Sequence, residues 1–168
     1  MPLKNREGFS LVELAVVLVV AGIILAIGAP GLIKSLNAQR VHDSARKLAD
    51  EMRMARQKAV SNGTRNYVYT QWGAAQSQYF TGVATQTSPT TWSGITWTGP
   101  IDLPDNTKQI SANFSSYQYF FYDPSGIPRQ PVLGNPPPAS PGFIRVISTN
   151  PSVTDTATVN LDLTGSVW

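Results

Sequence analysis

The sequence predicts an α+β fold in which one long N-terminal helix packs on an antiparallel β-sheet domain. Three observations predict it: an apolar run over 14–33, an apolar stripe of helical period that continues to residue 62, and a composition rich in aromatic and β-branched residues after Gly63. With 168 residues, 42% of them apolar, the chain has the length of about one domain with an appendage.

The apolar run from Leu14 to Ile33 predicts a helix that crosses a membrane. It contains twenty residues without a charge, which at ~1.5 Å per residue span one bilayer core. Lys4 and Arg6 precede it and favour an N-terminus inside and a C-terminus outside, although basic residues after the run weaken this asymmetry. A cleaved secretory signal ending before Ala29 is the alternative, but the apolar cores of such signals are only about 7–15 residues long. We therefore expect a retained membrane helix.

Beyond the membrane, the periodicity predicts that the helix continues to about residue 62. Its apolar residues recur at alternating steps of four and three, which places them on one face: Val41, Ala45, Leu48, Met52, Ala55 and Ala59. Gly63 in "SNG" is the expected left-handed C-terminal cap. Inside the helix, Pro30 removes a hydrogen bond and lies between Gly28 and Gly31, so a kink or a loosened turn is expected there.

The residues after Gly63 predict strands joined by turns and loops. "NYVYTQW" and "SQYFTG" resemble a hairpin, and "SYQYFFY" runs into the turn "DPSG". "FIRVIST" and "ATVNLDL" have the period of two that is typical of strands. Their alternate apolar residues are Ile144 and Val146 on the first and Val159, Leu161 and Leu163 on the second. Residues 85–100 and the proline-rich "GNPPPASPG" are predicted to be loops.

Charge and cysteine content limit the function classes. The net charge is +3, but residues 34–65 carry eight basic and three acidic side chains, whereas residues 66–168 carry three basic and five acidic ones. A helix beside an anionic surface or acidic neighbours explains this distribution as well as DNA binding does. The chain has no cysteine, which excludes disulfides and thiolate metal sites.

No group of residues predicts catalysis, a metal site or a cofactor. His42 is the only histidine and has Asp43 beside it, so a solvated helix residue is the expected role rather than a metal ligand. Asp102 and Asp105 could act as an acid–base pair, but turn chemistry around "LP" explains them more simply. The four tryptophans are expected to be core residues rather than a binding patch: Trp72, Trp92, Trp97 and Trp168.

The segment "EGFSLVELAVVLVVAGIILAIGAP" resembles the N-terminus of type IV pilins and type II secretion pseudopilins. The matching features are a short basic leader ending in Gly8, Phe9 after it, Glu13 four residues later and Pro30 within the apolar helix. The resemblance implies that a prepilin peptidase cleaves between Gly8 and Phe9 and methylates the new N-terminus of Phe9. It also gives Glu13 and Pro30 roles in assembly.

An electrostatic interaction can explain why a charged residue, Glu13, stands at the start of an apolar helix. A carboxylate near the centre of a membrane helix raises the free energy of insertion by about 2.5–3.5 kcal/mol, and by less near the interface. Cleavage would create an ammonium group on Phe9, one helical turn away. In a filament, Glu13 of one subunit could meet the Phe9 amine of another, and two such charges at ~4 Å attract by about 4 kcal/mol at an effective dielectric near 20.

The resemblance extends to the GspH/FimT pseudopilins through less specific segments. They are the helix end around Ala55, Arg56 and Ala59, followed by "FYDPSGIPR", "GFIRVIS" and "TVNLDLTGSV" with a strand-end glycine at Gly165. The implied fold is pilin-like. The implied segments are a leader peptide at 1–8, a transmembrane and assembly helix at 9–33, an amphipathic helix at 34–62 and a β-rich periplasmic domain at 63–168.

The resemblance implies a structural protein rather than an enzyme: a minor pilin or pseudopilin of a type II secretion system or a type IV pilus. Its expected partners are other pilins, prepilin peptidase, the inner-membrane assembly platform and membrane lipid. Its expected location is the bacterial inner membrane, with a single span and a periplasmic C-terminal domain, and then the filament. A DNA-uptake minor pilin is the alternative, but "TGSVW" places Ser166 and Trp168 where DNA-binding members have arginines, so DNA is not an expected partner. A membrane-anchored enzyme is a third alternative that no group of residues supports.

Overall fold

The computed structural model describes residues 10–70, 78–88, 91–104, 107–113, 119–131 and 141–168. Its first element is helix α1, Leu11–Asn62, which runs through Pro30 without interruption, so the proline does not end the helix. Ser10 begins it, because its Oγ accepts a hydrogen bond from the amide of Val12 at 3.3 Å. Gly63 follows its last turn with φ +63°, which confirms the predicted left-handed cap.

The chain divides into two compact units, Met1–Leu36 and Asn37–Trp168. The second unit contains the second half of α1 and all described strands. These strands are β1 (Arg65–Thr70), β2 (Gln78–Ala84), β3 (Gln86–Ser88), β4 (Thr91–Trp92), β5 (Thr96–Asp102), β6 (Thr107–Ala112), β7 (Tyr119–Tyr122), β8 (Pro128–Arg129), β9 (Gly142–Ser148) and β10 (Thr156–Leu161).

The strands form antiparallel sheets of five, three and two strands. The five-stranded sheet has the order β5-β2-β1-β7-β8, the three-stranded sheet the order β10-β9-β6, and β3 pairs with β4. The predicted hairpin of β1 with β2 is confirmed, with Tyr69 opposite Phe80, and its connection lies outside the described residues. The predicted turn at 123–126 is also confirmed, because the amide of Gly126 donates to the carbonyl of Asp123 at 2.8 Å.

The main hydrophobic core lies between the second half of α1 and the two larger sheets. All six residues of the predicted helical stripe are buried, which confirms that face. They pack with residues of both sheets: Val68, Tyr79, Phe120, Tyr122, Ile144, Val146, Ala157, Val159 and Leu161. Full burial of each large apolar side chain stabilises the fold by about 1.5–3 kcal/mol, so this face fixes α1 on the sheets.

Two local predictions are wrong. Leu163 does not continue the buried alternation, because β10 ends at Leu161 and Leu163 is 39% exposed in the turn that follows. Residues 85–100 are not a loop, since they contain β3, β4 and most of β5. Asp102 accordingly ends β5 instead of lying in a loop, and Asp105 lies outside the described residues. An edge strand such as β5 needs few inward apolar residues, so its sequence does not alternate.

Candidate functional site: an exposed N-terminal helix

The first part of α1 has no buried residue. Every position from Ser10 to Leu36 is exposed, including leucine, valine and isoleucine side chains such as Leu11 at 84%. By length and composition alone, α1 is long and apolar enough to cross a membrane. A continuous apolar surface of this size is stable only when lipid or another protein covers it.

Glu13 lies in the first turn of this exposed helix. It follows Ser10 by three residues, and Ser10-x-x-Glu13 is the capping-box sequence, in which a glutamate at the third position supports the start of a helix. Its charge is also favourable beside the positive end of the helix dipole. The sequence prediction for Glu13 did not include this local role, although the spacing alone could have shown it.

The other predicted site residues are distributed differently. Gly8 and Phe9 lie outside the described residues. Pro30 lies within α1 and is exposed, and a Cβ added at Gly28 or Gly31 would meet no atom within 4 Å. The surroundings of Pro30 are therefore open to a neighbouring helix or to lipid.

A second feature holds the other half of α1, and we call it the carbonyl clasp. It consists of Arg53 and Arg56 with the backbone carbonyls of Gly126, Thr164 and Val167. Arg56 Nε donates to Gly126 and Arg56 Nη2 to Thr164, both at 3.1 Å, and Arg53 Nη2 donates to Val167 at 2.9 Å. The two guanidinium groups thereby join the helix to the turn after β7 and to the C-terminal segment.

Other charged groups of α1 and of the strands are also paired. Lys47 Nζ donates to the carbonyl of Asp102 at 2.7 Å, which ties the helix to the end of β5. Asp123 accepts from Arg129 Nε at 2.8 Å in a partly buried ion pair. Lys47, Arg53 and Arg56 thus hydrogen-bond to backbone carbonyls of the domain, although Lys47 and Arg53 remain exposed. The sequence could not show this, since the partners lie 55 to 114 residues away from Lys47, Arg53 and Arg56.

His42 is a half-exposed helix residue, as expected, but its partner is not the adjacent Asp43. Its Nε2 lies 3.1 Å from Asp155 Oδ2, just before β10, whereas Asp43 lies 3.8 Å from Arg46. Within the described residues, no group of three or more histidine, cysteine, aspartate or glutamate side chains could hold a metal ion. His42 therefore joins α1 to the segment just before β10.

The expected core role of the tryptophans is wrong at two positions. Trp97 is 42% exposed and Trp168 is 60% exposed. Trp92 is half-buried and packs against a second hydrophobic cluster, whose buried members are Tyr67, Ala84 and Phe121. Trp72 lies outside the described residues.

Comparisons with known proteins found one match to the N-terminal segment and one to the fold. Residues 3–29 match the family described as "Prokaryotic N-terminal methylation motif". The chain is similar to the crystal structure of the type IV minor pilin FimU from Pseudomonas aeruginosa, with a TM-score of 0.51 and 9% sequence identity, over 77% of this chain and 87% of that one. No curated protein matches the chain. The N-terminal segment of the chain therefore carries the motif of that family, and the chain has a pilin-like fold similar to that of this minor pilin.

Proposed function

We propose that this protein is a minor pilin or pseudopilin, a structural subunit of a type IV pilus or a type II secretion system. Prepilin peptidase removes residues 1–8 by cutting between Gly8 and Phe9, and Phe9 is then N-methylated. The subunit waits in the inner membrane with its β-rich domain in the periplasm. It then enters the filament through its N-terminal helix, delivered by the assembly platform.

The observation that carries this proposal is the exposed stretch of α1 from Ser10 to Leu36. Its only charged side chains are Glu13 and Lys34, one near each end, so the stretch between them is apolar all round. A helix that is apolar on every side suits either lipid or a bundle of like helices. Both surroundings are needed by a subunit that leaves a membrane for a filament.

Glu13 supplies specificity that the apolar surface lacks. Its carboxylate disfavours deep burial in lipid and favours a position beside a cation. The ammonium group of a processed Phe9 on a neighbouring subunit is such a cation. Pro30 contributes an unpaired carbonyl four residues earlier, which lets the helix adapt when lipid is replaced by neighbouring helices.

The processing step tests the proposal most directly. Mass spectrometry of the intact protein and of its N-terminal peptide, both from the native cell, should give an N-methylated phenylalanine at residue 9. Gly8→Val should abolish the cleavage, because a large side chain replaces the glycine at the cut, while Gly22→Val within the apolar helix is the matched control. A mature N-terminus near Ala29 would identify an ordinary secretory signal and overturn the proposal.

A further inference from the structure

One edge of the three-stranded sheet is only partly covered. The order β10-β9-β6 makes β10 an edge strand. On the side away from β9, Asn160 exchanges two backbone hydrogen bonds with Trp168, at 2.9 and 3.2 Å, and Asp162 donates to the carbonyl of Ser166 at 2.8 Å. The C-terminal segment therefore already forms strand pairs along this edge, and within the described residues these pairs end at Asn160.

The register of β10 identifies the next position along this edge. In an antiparallel ladder, alternate residues direct their backbone N–H and C=O groups to opposite neighbours. Because Asn160 bonds to Trp168, Thr158 directs its N–H and C=O to the same outer side, whereas Ala157 and Val159 direct theirs to β9. Thr158 is exposed, and in the part of the chain that the structure describes no group pairs with its outward N–H or C=O. These two groups can accept a further strand.

The edge of β10 differs from the other edges of the two larger sheets. β5 contains Pro100, which has no N–H to donate, β6 has a bulge between Gln109 and Ser111, and β8 has only two residues. Each of these features hinders the addition of a strand. β10 is six residues long, contains neither proline nor a charged residue, and pairs with β9 without a register shift. Its edge is therefore suited to an extended segment.

A groove beside this edge has space for such a segment. Its volume is about 370 Å³, and one of its walls is β10 from Thr156 to Val159, together with Trp168. The other wall is one side of α1, whose lining residues recur at helical spacing: His42, Ala45, Arg46, Ala49 and Arg53. The groove thus has a backbone wall that can form hydrogen bonds and a side-chain wall that can select a partner.

The charges of the groove favour an acidic partner. Its charged lining residues are all basic, namely His42, Arg46 and Arg53. The first and the last lie 3.1 and 2.8 Å from aspartates of this chain. Arg46 is more available, because its side chain is 80% exposed and lies 3.8 Å from that of Asp43. A carboxylate on an added strand could therefore pair with Arg46.

We propose that the outer edge of β10 binds an extended acidic segment of another protein as an added strand. Backbone hydrogen bonds with Thr158 hold the segment at the edge, and a carboxylate of the segment pairs with Arg46. The backbone bonds supply most of the affinity, and the carboxylate supplies the preference for an acidic segment. The proposal does not rest on the filament function, since the binding can be measured whether or not the protein assembles.

Hydrogen exchange of single amides tests the free edge in the full chain, held in lipid nanodiscs. Without a partner, the amide of Thr158 should exchange much faster than the amides of Ala157 and Val159, which bond to β9. Equal protection of the three amides would show that the edge is already occupied, and would overturn the proposal.

The binding probe is a fluorescein-labelled peptide of alternating threonine and valine with one central glutamate. Its polarisation should show saturable binding to the full chain, and bound peptide should slow the exchange of the Thr158 amide. A peptide with glutamine in place of the glutamate should bind about two- to fivefold more weakly, because an exposed ion pair contributes little. N-methylation of one alternate set of peptide amides should prevent binding and the other set should tolerate it, because only one set faces β10.

Variants of the protein test the two contacts separately. Thr158→Pro removes the outward N–H without removing a bond to β9, so it should weaken binding at least about fivefold. Thr158→Ala keeps the N–H and is the matched control, which should bind like wild type. Arg46→Gln should remove the preference for the glutamate peptide. Lys58→Gln, which removes an exposed cation outside the groove, should preserve that preference.

Circular dichroism shows whether the Thr158 variants are folded, and if Thr158→Pro unfolds, the N-methylated peptides decide instead. Three results would each overturn the proposal: no saturation up to about 1 mM peptide, equal binding by Thr158→Pro and Thr158→Ala, or equal binding of the glutamate and glutamine peptides. Dimers of the wild-type protein that Thr158→Pro abolishes would show that a second copy occupies the edge, and would overturn it too.

Discussion

Gly126 and Gly165 approach each other backbone to backbone, so closely that a Cβ on Gly165 would collide with the carbonyl oxygen of Gly126. Both have positive φ, +75° and +85°, which side chains rarely tolerate. Arg56 donates to that same carbonyl at 3.1 Å. The turn after β7 and the turn after β10 are thus packed together and fastened to α1 at one point.

Replacing Gly165 by alanine should destabilise the fold severely. The new methyl group meets backbone, which cannot swing away, and the left-handed conformation adds its own cost, so we expect a loss of about 2–4 kcal/mol. Chemical denaturation of the fragment from Asn37, which contains both hydrophobic clusters, measures the change. Gly94→Ala is the control, because a Cβ there meets no atom within 4 Å. Similar losses in both variants would contradict the close approach of the turns.

Arg56→Ala should destabilise the same fragment by about 1–3 kcal/mol. Two carbonyl groups lose a charged donor, and such hydrogen bonds are worth more than neutral ones. Lys58→Ala, an exposed cation two residues away, should change the stability by less than about 0.5 kcal/mol. Thermal unfolding of both variants measures the difference. If Lys58→Ala lowers the free energy of unfolding as much as Arg56→Ala does, the positive charge of the helix stabilises the fragment and the hydrogen bonds of the carbonyl clasp do not.

Tyr122 predicts how stability responds to alkaline pH. Burial raises the pKa of Tyr122 well above its ordinary value, and its hydroxyl has no hydrogen-bond partner among the described residues. In the unfolded chain the Tyr122 hydroxyl ionises at about pH 10, whereas in the folded chain it stays protonated at that pH. The contribution of Tyr122 to the free energy of unfolding is therefore constant below about pH 10 and falls by up to about 1.4 kcal/mol per pH unit above it, until the raised pKa is reached.

Tyr122→Phe should reduce that alkaline loss. At pH 8 the variant should be as stable as wild type or slightly more stable, because it removes an unpaired buried hydroxyl. Urea unfolding at pH 8 and pH 11 gives both values. Tyr79→Phe should behave similarly, since burial also raises the pKa of Tyr79. A wild-type slope that persists in the double variant would show that other groups control the alkaline transition.

Two proposed roles of Glu13 can be separated, support for the start of α1 and pairing with the processed Phe9 of a neighbouring subunit. Glu13→Gln keeps a capping-box residue but removes the charge, so it should insert in the membrane normally and enter filaments less. Glu13→Asp keeps the charge and should enter filaments more than Glu13→Gln does. Because the chain has no cysteine, disulfide crosslinking between introduced cysteines can quantify incorporation. If Glu13→Gln enters filaments as well as the wild-type protein does, the charge of Glu13 is not needed for assembly and only its role at the start of α1 is left.

The fragment from Asn37 should bind DNA weakly at physiological salt. Sequence-independent affinity depends on cations that reach phosphates. Arg53 and Arg56 are held by backbone carbonyls, and Arg129 is paired with Asp123. A gel shift measures the DNA affinity of the fragment. Arg46→Gln, which removes a side chain that is 80% exposed, is the control variant. Salt-sensitive binding at micromolar or tighter affinity that survives Arg46→Gln would contradict this prediction.

The sequence predicts those parts of the fold in which a local residue pattern follows directly from the burial of one face or from a local backbone conformation. The stripe from Val41 to Ala59 repeats with the period of a helix because one face of α1 is buried, and Ile144 and Val146 alternate because one face of β9 is buried. Gly63 ends α1 by a local rule about positive φ. These features depend on near neighbours in the chain, so they are visible without the fold.

The missed features depend on distant parts of the chain. Trp97 is 42% exposed, and its ring lies on Gly82, a residue of another strand that its own neighbours in the sequence do not indicate. The sequence does not reveal the role of Arg56, because its acceptors are backbone carbonyls, which every residue has. The Ser and Thr content of 85–100, with "GP" at its end, predicted a loop, although pairing with β2 makes 96–102 a strand. Among the site residues, Gly8, Phe9, Glu13 and Pro30 remain predictions.

The carbonyl clasp and the contact of Lys47 with β5 together give the protein a mechanical property. Lys47, Arg53 and Arg56 each bind the domain from the side of α1, two of them through the last residues of the chain. A force that pulls α1 along its axis would load these contacts and the buried stripe together, in shear, rather than open them one after another. The domain should thus bear tension applied through α1 more firmly than it resists peeling of its C-terminal strand.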